Sequence, residues 1–243
     1  MPDENGIKYH LFGWAMTTVC PGCGKGVSDE KTQGTCRICG HEKEVHPCDD
    51  GKCICDACLD DMVFEEIIGY CLASESSDPY EIFKGIIDMD HVRMHDYKHH
   101  VIVGSALLTA HRNSGFQCDL ESMLREMLKR GRKVPPGSCG FMGNCGAAVS
   151  VGTFLSILTG TTPYSEDTWG DVNLATAQAL IQMALIGGPR CCKRNSMIAL
   201  KVGAQIAADK FGSRMEIASE MKCGMSERNR ECIKERCPFY QGQ

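Results

Sequence analysis

The side chains best suited to chemistry in this sequence are its 17 cysteines, fifteen of which fall into three groups. The first opens with Cys20-Pro-Gly-Cys23 and, twelve residues on, Cys36-Arg-Ile-Cys39, a C-x2-C-x12-C-x2-C pattern. Each knuckle offers two thiolates about one tetrahedral edge apart, so two knuckles complete a closed structural zinc site. Gly22, Gly24 and Gly40 stand where such tight turns need positive φ. Cys48, Cys53, Cys55 and Cys58 follow, with His41 and His46 just before them. Eight cysteines in four pairs fit two independent sites or an interleaved cross-brace, and spacing alone does not choose between them. A second zinc is expected. Cys53 is the most replaceable ligand, because Cys48, Cys55, Cys58 and His46 would also fill a tetrahedron.

The second group lies in two glycine-rich segments that each run into a helical pattern. Cys139 and Cys145 belong to Pro-Pro-Gly-Ser-Cys-Gly-Phe-Met-Gly-Asn-Cys-Gly-Ala-Ala, and Cys191 and Cys192 to Gly-Gly-Pro-Arg-Cys-Cys-Lys-Arg-Asn-Ser. At a helix start, free backbone N–H groups and the positive end of the macrodipole favour an anionic thiolate. Two such starts converging on one point can hold an anionic cluster, while the glycines let backbone approach inorganic sulfide. No C-x2-C knuckle occurs here, which argues against a further structural zinc. The third group, Cys223, Cys232 and Cys237, sits in a charged C-terminal segment and is expected to supply a missing cluster ligand, a second cluster or thiols for sulfur transfer. Cys71 and Cys118 read as core thiols. His91, His95 and His99 are spaced by four, which places them on one face of a continuous helix, with His100 beside them. His99 and His100 stand where polar text turns apolar, as a catalytic base facing a cavity would.

Two kinds of scaffold must position these groups. Residues 1–60 show no helical apolar period, so metal has to hold them. From residue 61 to 243 apolar residues recur at three and four, predicting an all-helical domain. Asp60 is expected to cap Met62–Leu72, Asp78 and Pro79 to open Tyr80–Met89, and Asp119 to precede a helix that Gly131 ends. Asp171 is expected to open Val172–Ile186, with further helices near 97–112, 146–159, 190–211 and 214–222. The fold class is therefore mainly α, a small zinc-ribbon or cross-brace module followed by helices. The start Met-Pro-Asp-Glu lacks the basic stretch and apolar run of a signal peptide. Gly146 to Leu158 is the longest weakly polar stretch, short of the roughly 18 residues of a membrane span. These features predict a cytoplasmic protein with no membrane partner, in which thiols serve metals rather than disulfides. The net charge of −5 argues against a broad nucleic-acid footprint, although the zinc module could dock a protein or an RNA.

The order Gly-Phe-x-Gly, Cys-Gly-Ala-Ala-x-Ser, a Leu-Thr-Gly-x-x-Pro-like turn, a helix, and then Cys192-Lys-Arg-Asn-Ser-Met-Ile-Ala-Leu-Lys resembles the catalytic α-domain of the iron–sulfur L-serine dehydratases over residues 137–210. The whole chain also resembles a cysteine-rich family of anaerobes without an assigned reaction. The dehydratase resemblance implies an all-helical fold and a 4Fe-4S cluster bound by three cysteines, with one iron open as a Lewis acid. It implies Cys145 and Cys192 as ligands, with Arg194 and Asn195 near the substrate carboxylate. The family carries a further cysteine about ten residues before the Cys-x-x-Arg-Asn motif. This chain has none there, so Cys191 or Cys139 would substitute. The companion β-domain of that family is also missing, which leaves serine specificity unsupported. The expectation is a lyase of dehydratase or desulfidase type acting on a small hydroxy or thiol compound, with His99 or His100 as base. The alternative is a carrier of sulfur or electrons, and four protein ligands on the cluster would favour it.

Overall fold

A computed structural model describes residues 18–20, 23–28, 30–218 and 220–242, and the chain divides into two units between Leu59 and Asp60. In the first unit β1 (Thr18–Val19) pairs with β2 (Gly26–Val27) on either side of the Cys20–Cys23 turn. β3 (Thr32–Thr35) pairs with β4 (Glu42–Pro47) so that Cys36 and Cys39 occupy the hairpin tip. β4 pairs in turn with β5 (Cys53–Ile54), and a bridge between Val27 and Cys48 ties the two ladders together. Among the described residues of this unit the buried aliphatic side chains are Val27, Val45, Ile54 and Leu59. Residues 1–59 form a small unit, and so few buried aliphatic side chains among its described residues call for another source of stability.

The second unit is helical. α1 (Asp56–Ala73) starts earlier than the capping pattern suggests, because the Cys55–Cys58 turn runs directly into it, with Leu59 N donating to Cys55 O at 2.9 Å. Asp60 is thus no cap; its carboxylate receives Lys98 Nζ at 2.6 Å and the Tyr97 hydroxyl. α2 (Pro79–Ile87) has the expected start, the Asp78 side chain accepting from Tyr80 N at 2.7 Å. α3 (His99–Asn113) is buried from Val101 to His111 and packs on α2 and on the three later helices α4 (Leu120–Gly131), α6 (Gly146–Thr159) and α8 (Cys192–Phe211). Between α4 and α6 comes the single turn α5 (Ser138–Phe141), and α7 (Trp169–Ile186) packs on α6 and α8. A helix surrounded on all sides must be apolar or small all round, and Val-Ile-Val-Gly-Ser-Ala-Leu-Leu in α3 is. Close approach fixes two glycines: a Cβ on Gly203 would stand 2.4 Å from Leu107 Cδ1, and one on Gly146 2.1 Å from His100 Cδ2.

Several expectations change. His91, His95 and His99 do not share a helix face, because residues 90–98 form turns and α3 begins only at His99. Gly131 is helical and not a left-handed cap; it is small because a Cβ there would meet Val101 Cγ2 at 2.6 Å. No helix forms at 214–222 over its described residues, where Glu216 N and Ala218 N bind Ser77 O and the Asp78 carboxylate. Asp171 does not open α7, whose cap position is Thr168. Among the described residues no helix is long and apolar enough to cross a membrane.

Candidate metal centres

Seven of the eight cysteines of the first unit sort into an interleaved arrangement. Cys36, Cys39, Cys55 and Cys58 have sulfurs all within 4.8 Å of one another, and so do Cys20, Cys23 and Cys48. The spacing that joins Cys20-x2-Cys23 to Cys36-x2-Cys39 in one site is therefore corrected: each knuckle serves a different group. The ladder explains it. The Val27–Cys48 bridge carries Cys48 beside the first knuckle, while the Arg37 N–H to Cys53 O bond of 2.8 Å brings β5, and after it Cys55 and Cys58, beside the second. The two knuckles have the same construction. Gly24 N bonds Cys20 O at 2.8 Å and Gly40 N bonds Cys36 O at 2.9 Å, with φ of 67 and 71° that only glycine adopts freely. Gly22 lies outside the described residues.

Cys53 joins neither group among the described residues. His46 does not replace it, since Nδ1 is bound to Ser28 O at 2.8 Å and Nε2 to the Asp56 carboxylate at 2.7 Å. His41 is exposed, and its backbone and ring hydrogen bonds hold the Cys39 thiol down at about 6. Burial pushes Cys58 and Cys48 up to about 12, and neighbouring sulfurs add to the rise. Thiols crowded in this way favour the neutral form unless a cation joins them. Arg37, which the sequence reading passed over, is bound to Asp50 at 2.8 Å; it opposes the rise of Cys48 and adds a little to the lowering of Cys23, which the Lys25 backbone hydrogen bond leads.

In the helical unit, a pocket is lined by Cys191, Cys223, Cys232 and Cys237 together with Arg194, Met225, Ser226, Asn229, Ile233 and Tyr240. Cys191 is the cap residue of α8, its sulfur accepting from Arg194 N at 3.4 Å. The other three come from a C-terminal segment wound in successive turns: Cys223 N to Phe239 O at 2.8 Å, Cys232 N to Asn229 O at 3.0 Å, Cys237 N to Lys234 O at 2.7 Å. Buried Met221 and Phe239 and the Tyr80 hydroxyl on Lys222 O, at 2.6 Å, fasten that segment to the helices. N–H groups point at the sulfurs: Asn229 Nδ2 at Cys191 (3.5 Å), Met225 N at Cys223 and Lys234 N at Cys232 (3.4 Å each). Arg194 is 3% exposed. Its Nε donates to Asn195 Oδ1 and its Nη2 to Gly187 O and Pro189 O, while Nη1 has no partner. Among the described residues no carboxylate pairs with it.

The remaining expected site residues lie outside that pocket. Cys139, Cys145 and Cys192 are half-buried and none lines that pocket. Asn195 Nδ2 bonds Cys145 Sγ at 3.4 Å. Burial pushes Cys192 to about 12, the Asp96 N–H at its sulfur opposing and Cys145 and Cys191 adding to the rise. His99 is 1% exposed; Nδ1 donates to Asp96 O at 2.9 Å, so Nε2 is left to accept from Lys193 Nζ at 2.8 Å. Burial and the Lys193 charge hold its pKa well below the ordinary histidine value. His100 Nδ1 bonds Val134 O, and its ring packs on Gly146. Lys193 and Asn229 were missed by the sequence reading; the one signal for Asn229 is its place between Cys223 and Cys232.

A family model described as a family of unknown function matches residues 67–240, which include all seven of these cysteines. No curated protein and no solved structure matches the chain.

Proposed function

The chain belongs to the DUF5714 family, and from its geometry we propose that it is an iron–sulfur electron carrier with a zinc-held N-terminal module. One observation carries the reading: Cys191, Cys223, Cys232 and Cys237 line a pocket together with a buried arginine whose Nη1 is unpartnered. A buried guanidinium without a carboxylate is costly, and an anion beside it removes the cost. Four thiolates with iron and sulfide are such an anion. A single tetrahedral ion would draw its sulfurs to roughly 3.8 Å from one another, yet these four form no group within 4.8 Å among the described residues. A 4Fe-4S core, with four cysteine ligands spread wider, suits them and supplies transfer of one electron at a time. The chain's own part is to hold that charge. Arg194 and the N–H groups of Asn229, Met225 and Lys234 favour the more negative, reduced state, and Met225, Ile233 and Tyr240 limit water.

Four protein ligands leave no iron for a leaving group, which favours a carrier over a lyase. His99, with Nε2 engaged by Lys193, is also poorly placed as a base. The Asn195 contact to Cys145, and the partial exposure of Cys139, Cys145 and Cys192, favour a second reading, a three-cysteine cluster open to a hydroxy or thiol substrate. Alanine substitution under anaerobic purification separates the two: Cys237→Ala should abolish iron and sulfide while Cys145→Ala keeps both, and the reverse pattern would favour the lyase. In the first unit, all-sulfur ligation suits zinc, and metal analysis of the same preparation tests it.

A further inference from the structure

We propose that the outward face of α7 joins two copies of this chain across a twofold axis, the two α7 helices running antiparallel. The sequence of α7 is that of a helix covered on every side. From Val172 to Pro189 no residue is charged, whereas α4, whose outer face meets water, shows Glu121, Arg125 and Lys129 there. One side of α7 is covered: Ala175, Ala179 and Met183 are buried, and the helix packs on α6 and α8. The other side is open among the described residues, with Leu174, Ile181 and Leu185 at 54, 59 and 84% exposure and Trp169, at the start of the helix, at 51%. An apolar stripe of this kind marks a surface that a partner covers.

The stripe itself points to a second copy as the partner. Leu174, Gln178, Ile181 and Leu185 follow one another at four, three and four residues, the seam along which two helices pack at a shallow angle. That spacing reads the same from either end. Two copies laid antiparallel about an axis between Gln178 and Ile181 place Leu174 of each opposite Leu185 of the other, and Gln178 opposite Ile181, as an isologous contact requires. Gln178 and Gln182, both exposed, then meet near the axis with amide donors and acceptors to pair. The exposed side chains of the face offer on the order of 700 Å² per copy, close to the ~800 Å² that each partner gives to a standard interface. Asp171, the one charged residue of α7, is paired with Lys210. The two acidic chains therefore bring no like charges together at the seam. A face without a cation also offers nothing to an anionic lipid headgroup or a nucleic acid.

Sedimentation velocity of the full chain, purified without oxygen and run over a range of concentrations, tests the proposal. A species of twice the 26.6 kDa chain mass is expected. Ile181→Glu sets two carboxylates beside the axis and should raise the dimer dissociation constant by about 100-fold or more. Because Ile181 is exposed in the single chain, helical circular dichroism and metal content should stay unchanged in that variant. Leu174→Lys and Leu185→Glu test the pairing: each alone should weaken the dimer, and the two together should restore it, since the introduced charges oppose one another across the axis. A wild type that sediments as a single chain at every concentration overturns the proposal, as does a dimer that Ile181→Glu leaves intact. A double variant no tighter than either single one overturns the antiparallel pairing. A single chain that co-sediments with phosphatidylcholine vesicles would overturn the proposal in favour of a lipid surface.

Discussion

Replacing Arg194 by glutamine removes the one cation that lines the four-cysteine pocket among the described residues, and its effect can be sized. The side chain is 3% exposed, and three of its contacts, to Asn195 Oδ1, Gly187 O and Pro189 O, are to neutral oxygens. The charge is therefore unspent until an anion occupies the pocket. A hydrogen bond to a charged group contributes about 1.5–3 kcal/mol, and the reduced state, one charge more negative, benefits most. At about 59 mV and 1.4 kcal/mol per tenfold change for one electron, the midpoint potential should fall by roughly 65–130 mV. Arg194→Lys, which keeps the charge but loses the planar fork, should recover most of that. Anaerobic spectroelectrochemical titration reads both variants. A potential unmoved in Arg194→Gln would refute the placement of Arg194 beside the redox centre, whatever the variant does to stability.

Cys55→Ser should cost the first unit its fold and a metal ion, since structural zinc contributes on the order of 10 kcal/mol, whereas Cys53→Ser should keep both; zinc content and amide exchange check this. Gly146→Ala should destabilise the helical unit by about 1–3 kcal/mol through the clash with His100, while Gly140→Ala, with open space around it, should leave thermal unfolding unchanged. His99, His100 and His111 are held neutral by burial, with folded pKa values below the ordinary one. The unfolded chain then takes up protons first as pH falls through about 6.5, so their contribution is complete above that pH and is lost below it, by up to about 1.4 kcal/mol per pH unit for each. Urea unfolding from about pH 7 down to about pH 5 should show the decline, and stability constant over that range would contradict it.

What was legible in the sequence follows from how local each signal is. The starts of α2 and α4 could be read because Asp78 and Asp119 cap by contacts within three residues. α3 was visible as an apolar run, but its start was not: Lys98, at the cap position, makes no side-chain cap, and residues 90–98 are fixed by distant partners such as Asp60, Glu66 and Glu231. The C-x2-C knuckles announced metal, yet their pairing depends on strand register, through the Val27–Cys48 bridge, which spacing does not encode. The C-terminal cysteines were read as cluster ligands or sulfur-transfer thiols, but their partner Cys191 was not legible for the same reason: α8 and residues 223–237 meet only in the tertiary fold. Gly131 was read for its usual place at helix ends, whereas packing against Val101 is what requires it.

Electron paramagnetic resonance of chemically reduced protein, purified without oxygen and compared with its Cys237→Ala and Cys145→Ala variants, tests the central claim most directly. The account predicts a reduced 4Fe-4S signal in the wild type, its persistence in Cys145→Ala, and its loss in Cys237→Ala. No signal in wild type after supply of iron and sulfide, or a signal that survives in Cys237→Ala and vanishes in Cys145→Ala, would contradict it.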